Sequence, residues 1–433
     1  MIAAPQIQGW CPSAWQPMLT GDGYLMRLRF SCGIVSAEQA HAVAALAQHY
    51  GNGVIDLTRR ANLQIRGVEE EKIAELQAEL LAANLIAQYA EGETPNVIAS
   101  ALAGRDRDAL IDIRPLVQEL EQCLAADPRA RDLPVKFCML IEDGGRFSLR
   151  DVGADIAFEA YLANGNICFV ARIGGEIVGS VEAEEVPATA LAFAGAFTSL
   201  RARNRRPLHR MQELVDDVGL PAILSSCPSV GRISTRSWGA HDNLDRRARR
   251  GHDAVGFVDS NVLGIAAPFG SLKADQLALL ADLAHRHAAS ELRLTPWRAI
   301  LIPGIASGAI PRVAAECARA GFITDPADPL RHVEACAGAP ACASASVQTR
   351  GIAAALAPLL RPHDTLHVSG CTKSCASSTS ASITLVGRDG CFDLIRNGRP
   401  GDTPALFGLS PEHARLAVQR IGAEDLVEDL ARV

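Results

Sequence analysis

Residues 24–68 read YLMRLRFSCGIVSAEQAHAVAALAQHYGNGVIDLTRRANLQIRGV, and residues 261–305 read NVLGIAAPFGSLKADQLALLADLAHRHAASELRLTPWRAILIPGI. They are two copies of one unit. Gly33 matches Gly270, Gln39 matches Gln276, Leu46 matches Leu283, Thr58 matches Thr295 and Gly67 matches Gly304. Every pair is 237 positions apart (33 and 270, for example), with no gap along the segment. Two unrelated amphipathic stretches rarely keep one register that long. Within each copy the pattern predicts strand, helix, strand. Residues 25–30 alternate, and residues 37–49 carry apolar side chains at helical spacing. Ser36 followed by Gln39 reads as a capping box. Residues 54–65 read as a second strand. Two such half-units predict a pseudo-symmetric pair around a shared cleft.

The copies differ on one face. Strand side chains alternate, so Thr58, Arg60, Asn62, Gln64 and Arg66 are expected on one side. Leu57, Ala61, Leu63 and Ile65 fall on the other, with Arg59 the polar exception. Arg27 and Arg29 likewise share a face. The second copy has Gly264, Ala266, Trp297, Ala299, Leu301 and Pro303 at the matching places. One copy keeps a basic, hydrogen-bonding surface that the other lacks. Arginine forks grip carboxylates bidentately, so this asymmetry favours a polyanionic ligand over an ordinary solvent-facing strand.

Near the C-terminus, Cys336 and Cys342 are separated by five residues, and Cys371 and Cys375 by three. A helix-like stretch, 347–360, lies between the pairs. Gly338 and Pro340 favour a turning loop in the first pair. Cys371 and Cys375 would share a face if a helix started at Gly370. Two close pairs of soft thiolates suit an iron–sulfur cube. Structural zinc is the competitor, although its pairs are usually tighter. Buried free cysteine, packing as a small apolar residue, is the third reading. The other eight cysteines, Cys11, Cys32, Cys123, Cys138, Cys168, Cys227, Cys317 and Cys391, are scattered and read as core positions.

The chain has 433 residues, 48% of them hydrophobic and 21% charged, which indicates a globular protein of two or three domains. A net charge of −7 argues against a general nucleic-acid or anionic-membrane binder. Arginines at 201–210 and 246–250 read as solvated faces rather than anion sites. No apolar run reaches membrane-spanning length and no signal-peptide pattern opens the chain. The expectation is a cytoplasmic protein whose cysteines are not disulfides.

The duplicated unit and the cysteine spacing together resemble the siroheme-dependent nitrite and sulfite reductase family, over nearly the whole chain. The family strand, roughly LTTRQNIQLRG, corresponds to LTRRANLQIRG at 57–67. Its LPRKFK segment corresponds to LPVKFC at 133–138, and its GCPNxC motif to GCTKSC at 370–375. The resemblance implies an α+β fold: duplicated ferredoxin-like half-units (1–80 and 240–306) forming one pseudo-symmetric domain, plus two α/β nitrite/sulfite-reductase-type domains (90–235 and 307–433). The second of these would hold a 4Fe–4S cluster on Cys336, Cys342, Cys371 and Cys375.

The departures matter as much. Reducing a small oxyanion in this family needs several cations around it. Lys136 is kept, but Cys138 replaces the second lysine, Pro95 replaces an arginine ahead of Asn96 and Val97, Ala61 replaces a glutamine and Lys373 an asparagine. An uncompensated buried anion is expensive. GWCPSAWQPMLTGDG (9–23), LTRRANLQIRGV (57–68) and HVSGCTKSC (367–375) resemble instead an oxygen-using branch of the family. That likeness implies precorrin-3A, a metal-free tetrapyrrole rich in carboxylates, as substrate. It implies hydroxylation at C-20 with one atom of O2 and closure of a γ-lactone, and also a mononuclear non-haem iron. His363, Asp364 and His367, or His332 and Glu334, are candidate iron ligands, and structural roles for them stay open. Arg27, Arg29, Arg60, Asn62, Gln64, Arg66, Lys136 and Lys373 are the expected substrate-binding residues. No dinucleotide or phosphate-binding loop is present, GDG at 21 and GNG at 51 being too short. Electrons are therefore expected from a separate NADH-dependent reductase. A siroheme nitrite or sulfite reductase is the alternative, and a non-catalytic electron carrier the third.

Overall fold

The computed structural model describes residues 11–87, 94–227 and 253–422, in four five-stranded sheets. Residues 9–10 and the arginines at 246–250 lie outside the described residues. Strands and helices are numbered in chain order. The first sheet runs β1 (Met18–Thr20), β2 (Gly23–Leu28), β5 (Leu63–Val68), β4 (Val54–Leu57), β13 (Ser271–Lys273). The second runs β11 (Gly256–Asp259), β12 (Val262–Ala266), β15 (Ala299–Pro303), β14 (Glu291–Leu294), β3 (Ile34–Ser36). Each sheet thus takes its last strand from the other copy. Leu272 of β13 lies opposite Ile55, and Val35 of β3 opposite Leu292. This reciprocal exchange makes one body of the two half-units.

Helices α1 (Ala37–Tyr50) and α7 (Ala274–His287) pack against each other over a shared core of Val43, Ala47, Leu277, Leu280, Leu28, Ile55 and Leu63. The capping box at α1 is formed: Ser36 Oγ accepts from the Gln39 N–H, and Gln39 Oε1 from the Ser36 N–H. The 237-residue shift carries β3 onto β13, α1 onto α7, and β4 onto β14 residue for residue. It does the same for α2 (Ile73–Ala82) and α8 (Ile310–Arg319).

One expectation fails here. Residues 54–65 are not a single strand but a hairpin, β4 and β5, with its tip at 58–62. Thr58 Oγ1 accepts from the Arg60 and Asn62 N–H groups, 3.2 Å each, and the Thr58 N–H donates to Asn62 O at 2.9 Å. A hydroxyl offering the backbone this local alternative closes a turn inside an otherwise strand-like pattern. The alternation restarts beyond it, so Arg60 does not share a face with Gln64 and Arg66.

The third sheet runs β6 (Asn96–Ala99), β7 (Cys138–Glu142), β8 (Ile156–Ala163), β9 (Asn166–Ile173), β10 (Glu176–Glu182). The fourth runs β16 (Val333–Ala335), β17 (Leu366–Ser369), β18 (Ala381–Arg388), β19 (Cys391–Gly398), β20 (Leu406–Leu409). In both, the first three strands are parallel and the last two antiparallel. In both, helices cover one face. For the third sheet these are α3 (Arg114–Ala126), α4 (Val186–Arg203), α5 (Met211–Val218) and α6 (Leu220–Ser225). For the fourth they are α9 (Arg350–Leu356) and α10 (Pro411–Gly422). The duplication therefore extends through the whole chain. The sequence hides its second half because loop lengths change: the shift is 237 between β6 and β16 (96 and 333) but 225 between β8 and β18 (156 and 381).

Glu142 ends β7 on the face away from the helices, 7% exposed, its carboxylate accepting from the Leu149 N–H at 2.8 Å. Burial, reinforced by Glu159 and Asp143, pushes its carboxyl up to about 7. A raised acid disfavours the folded state as pH climbs from its ordinary value of 4.5 through 7, and the loss is complete above that. Glu142→Gln keeps the acceptor and removes the charge. Its expected gain in unfolding free energy is at most about 3 kcal/mol at pH 8 and near zero at pH 4. Denaturant titrations at the two pH values check this, and an equal effect at both would contradict it.

Candidate iron–sulfur site and ligand cleft

Parallel neighbours β16 and β17 deliver Cys336 and Cys371 just beyond their carboxyl ends, where open α/β sheets present ligand sites. Cys342 returns through a loop that needs Gly338: its φ is 67°, and a Cβ there would strike Thr349 Oγ1 at 2.5 Å. A Cβ on Gly370 would meet that of Ala345 at 2.5 Å, so the two cysteine loops touch. Cys371 to Cys375 is a turn with Ser374 at φ 58°, not the start of a helix. The stretch between the pairs is helical over α9 and one following 3-10 turn, Ala357–Leu359.

All four thiols line a single cavity of about 450 Å³. Burial pushes the Cys371 and Cys375 thiols up. The charges of Cys336 and Cys342 add to this at both, and nearby Lys373 opposes it. The Gly370 N–H donates to Cys336 Sγ at 3.2 Å, the outer-shell contact that steadies a thiolate ligand. Among the described residues no three His, Cys, Asp or Glu side chains are close enough to hold a single ion. Zinc needs sulfur atoms about 3.8 Å apart to close its tetrahedron. Four soft donors around one cavity, with no three grouped to hold a single ion, fit an iron–sulfide cube.

The same cavity continues over the half-unit body. Pro12, Met18, Leu19, Leu25 and Phe269 form apolar wall, with cationic side chains between them. The Arg27 guanidinium donates twice to the Gln64 amide oxygen, at 2.7 and 2.9 Å, which assigns that amide's orientation. Arg59 donates to Glu334 Oε1, and Arg298 to Glu334 Oε2 at 2.6 Å. Arg66 is bidentate to Asp22 (3.0 and 2.8 Å), bonds Asp56 at 3.2 Å and reaches Ala341 O, inside the first cysteine loop, at 2.8 Å. Arg350 bonds Asp56 at 2.9 Å and Ser271 at 2.8 Å.

Of the residues picked from sequence, Arg27, Gln64, Arg66 and Lys373 line this cavity together with the four cysteines. The others are spent elsewhere. Arg29 donates to Thr94 O at 2.8 Å and borders a separate groove. Arg60 donates to Lys136 O, as does Arg210. Asn62 is buried against Asn96 at 3.1 Å, and the Lys136 side chain is exposed. Arg59, Arg298 and Arg350 were not singled out. Arg59 carried a signal, since it stands where the family strand has threonine.

The candidate iron ligands do not assemble. Asp364 pairs with Arg361 at 2.9 Å, His363 is exposed, and both Glu334 oxygens are taken by guanidinium groups. His367 is 1% exposed with neither ring nitrogen hydrogen-bonded. Burial, then the charges of Arg59 and Arg298, pull it down to about 4, so it is neutral.

The matching face of the other copy is apolar. Trp297 and Phe147 lie with ring centroids 5.5 Å apart and planes tilted by 46°, and Leu301, Ala299, Val258 and Ile323 belong to the same apolar cluster. One copy keeps a cationic cleft beside the cysteines, and the other carries an apolar cluster at the matching face.

Comparison with known proteins agrees with this architecture. The nitrite/sulfite reductase ferredoxin-like half domain matches residues 16–83 and 259–320. The nitrite and sulphite reductase 4Fe-4S domain matches residues 92–230, the unit of the third sheet, whose structural repeat carries the four cysteines. A precorrin-3B synthase of a Sinorhizobium species is 31% identical over 428 residues, 94% of this chain and 88% of that protein. A ferredoxin–nitrite reductase of Synechococcus elongatus is 28% identical over 462 residues, 96% and 89%. The NirA protein of Mycobacterium tuberculosis superposes with a TM-score of 0.73 at 22% identity, covering 95% of this chain and 84% of that one, and so shares the fold. Fold, duplicated halves and cysteine set converge: the chain belongs to the nitrite/sulfite reductase family of iron–sulfur oxidoreductases.

Proposed function

We propose that this chain converts precorrin-3A to precorrin-3B, hydroxylating C-20 with one atom of O2 and closing a γ-lactone from the ring A acetate. The observation that carries the reading is the cation pattern of the cleft. Where oxyanion reducers of the family have a second lysine, Cys138 is wholly buried, its backbone N–H on Asp155 and its thiol on Gly153 O. Pro95, in place of an arginine, is buried too. Two of the small-anion cations are thus gone, whereas Arg27, Arg59, Arg298, Arg350 and Lys373 line a broad cleft. That arrangement suits a large ring with carboxylates at its edge better than nitrite or sulfite.

A cluster on the four cysteines would supply single electrons, which side chains cannot. The chain's own part is to bind and orient. Arg27 and Lys373 offer charge to the macrocycle's carboxylates. Leu19, Leu25 and Phe269 cover its apolar faces. The reaction consumes O2, two electrons and two protons, leaving one oxygen atom in the product and one in water. We assign the electrons to a separate NADH-dependent reductase. No protein ligand set for a mononuclear iron exists among the described residues, and no step is assigned to one. We also place the protein in the cytoplasm; no helix of the described residues is long and apolar enough to cross a membrane.

The test is anaerobic purification followed by incubation with precorrin-3A, 18O2 and a chemical reductant. The expected result is a cluster spectrum without siroheme bands and a product containing one 18O atom. Siroheme bands, with reductant-dependent loss of nitrite or sulfite, would establish the reductase reading instead.

A further inference from the structure

Positions 61 and 298 are the same turn residue in the two copies, and both have left-handed backbones, at φ 54° and 60°. The hairpin tips they belong to come from opposite halves yet meet on one side chain. Arg59, two residues before Ala61, takes one Glu334 oxygen and Arg298 takes the other. Glu334 sits on β16, opposite His367 of β17 in register. Both guanidinium groups line the cavity that holds the four cysteines.

The charges do not balance. Two guanidinium groups share one carboxylate, and neutral His367 adds nothing. The next acid near Arg298 is Asp56, which Arg66 and Arg350 already engage. Arg298 is 16% exposed, its second hydrogen bond, to Ala376 O, is long at 3.4 Å, and its buried Nε has no hydrogen-bond partner. A buried donor left without an acceptor costs free energy unless a ligand completes it.

We propose that Arg59 and Arg298, held side by side by Glu334, are a clamp for one peripheral carboxylate of the macrocycle at the cluster end of the cleft. The clamp rests on reading the cleft as a tetrapyrrole site. Arg59 is a departure within the family strand, where it replaces a threonine, and Arg298 stands outside that strand, where the first copy has Ala61. They are specificity residues, selecting a carboxylate-edged ring over a ring without carboxylate at that corner.

The test uses cluster-loaded protein and two stable probes, uroporphyrin III with eight carboxylates and coproporphyrin III with four, followed by fluorescence quenching. Wild type is expected to bind both, uroporphyrin more tightly. Arg59→Thr and Arg298→Gln should each weaken uroporphyrin binding about tenfold, the loss of one charge-assisted pair. Their effects should be non-additive in the double variant, because both hold the same group. Arg298→Lys should recover part of the loss. Arg59 is 43% exposed, so Arg59→Thr leaves the fold intact, and melting and iron content are measured beside it. Wild-type binding with unchanged affinity in Arg59→Thr would overturn the clamp alone. Failure of wild type to bind either porphyrin would overturn the clamp together with the tetrapyrrole reading.

Discussion

Cys371→Ala is expected to yield protein without bound iron and sulfide and with activity reduced by roughly 100-fold or more, beyond the range for loss of an outer-shell partner. A cube bound by four thiolates loses a bond that nothing nearby replaces. Apart from the three other ligands, the sulfur side of the cavity offers only Lys373 and the small residues of the two loops. The loss should propagate. Gly370, next to Cys371, donates to Cys336 Sγ and packs on Ala345 of the other loop, so the two loops support each other through the cluster. Cys391→Ala is the control. Cys391 pairs with Arg388 across the β18–β19 hairpin and does not line the cavity. Its variant should keep full iron, sulfide and activity. Iron and sulfide analysis with visible spectroscopy checks both, and a Cys371→Ala protein with a full complement would refute the ligand assignment.

What could be read without coordinates, and what could not, follows from how local each signal is. The 237-residue register is a property of the chain itself, and it located β2, α1 and β4 with their partners. The exchange of β3 and β13 between sheets was invisible, because a three-residue edge strand does not say which sheet it joins. Cysteine spacing is local too, and the four picked residues face one cavity. The substrate face was read less well. Periodicity runs straight through Thr58, whose hydroxyl closes the hairpin, and so points to Arg60 rather than Arg59. Arg298 and Arg350 could not be found, since their place at the cleft depends on how the second half-unit and α9 dock on the first. Arg66 was placed at the cleft, but its partners Asp22 and Asp56 come from distant turns and strands.

Those partners give Arg66→Met the largest expected cost in stability. Arg66 is 6% exposed, Asp22 17% and Asp56 13%. Burial alone would push the Asp22 carboxyl up, but the hydrogen bonds and charge of Arg66, with hydrogen bonds from Thr20 and Asn52, together outweigh it and hold the group below its ordinary value. Removing the guanidinium leaves two half-enclosed carboxylates, of which only Asp56 keeps a cation, Arg350. Breaking such a pair from one side costs about 3 kcal/mol or more. The cost must depend on pH. In wild type, stability from the depressed Asp22 is present above its ordinary value of 3.8 and is lost as pH falls through the lower folded value. In the variant, the unpaired carboxylates are relieved by taking up protons, so the penalty is largest at pH 7 and shrinks toward pH 4. Adding Asp22→Asn should restore much of the stability at pH 7, because the stranded charge is gone. It should not restore the tie to the first cysteine loop, which Arg66 makes at Ala341 O beside the Gly21 N–H at 3.2 Å. Iron should therefore leave both variants faster than wild type in the presence of a chelator. A penalty equal at pH 7 and pH 4, or wild-type iron retention, would show that Arg66 neither neutralises these acids nor anchors the loop.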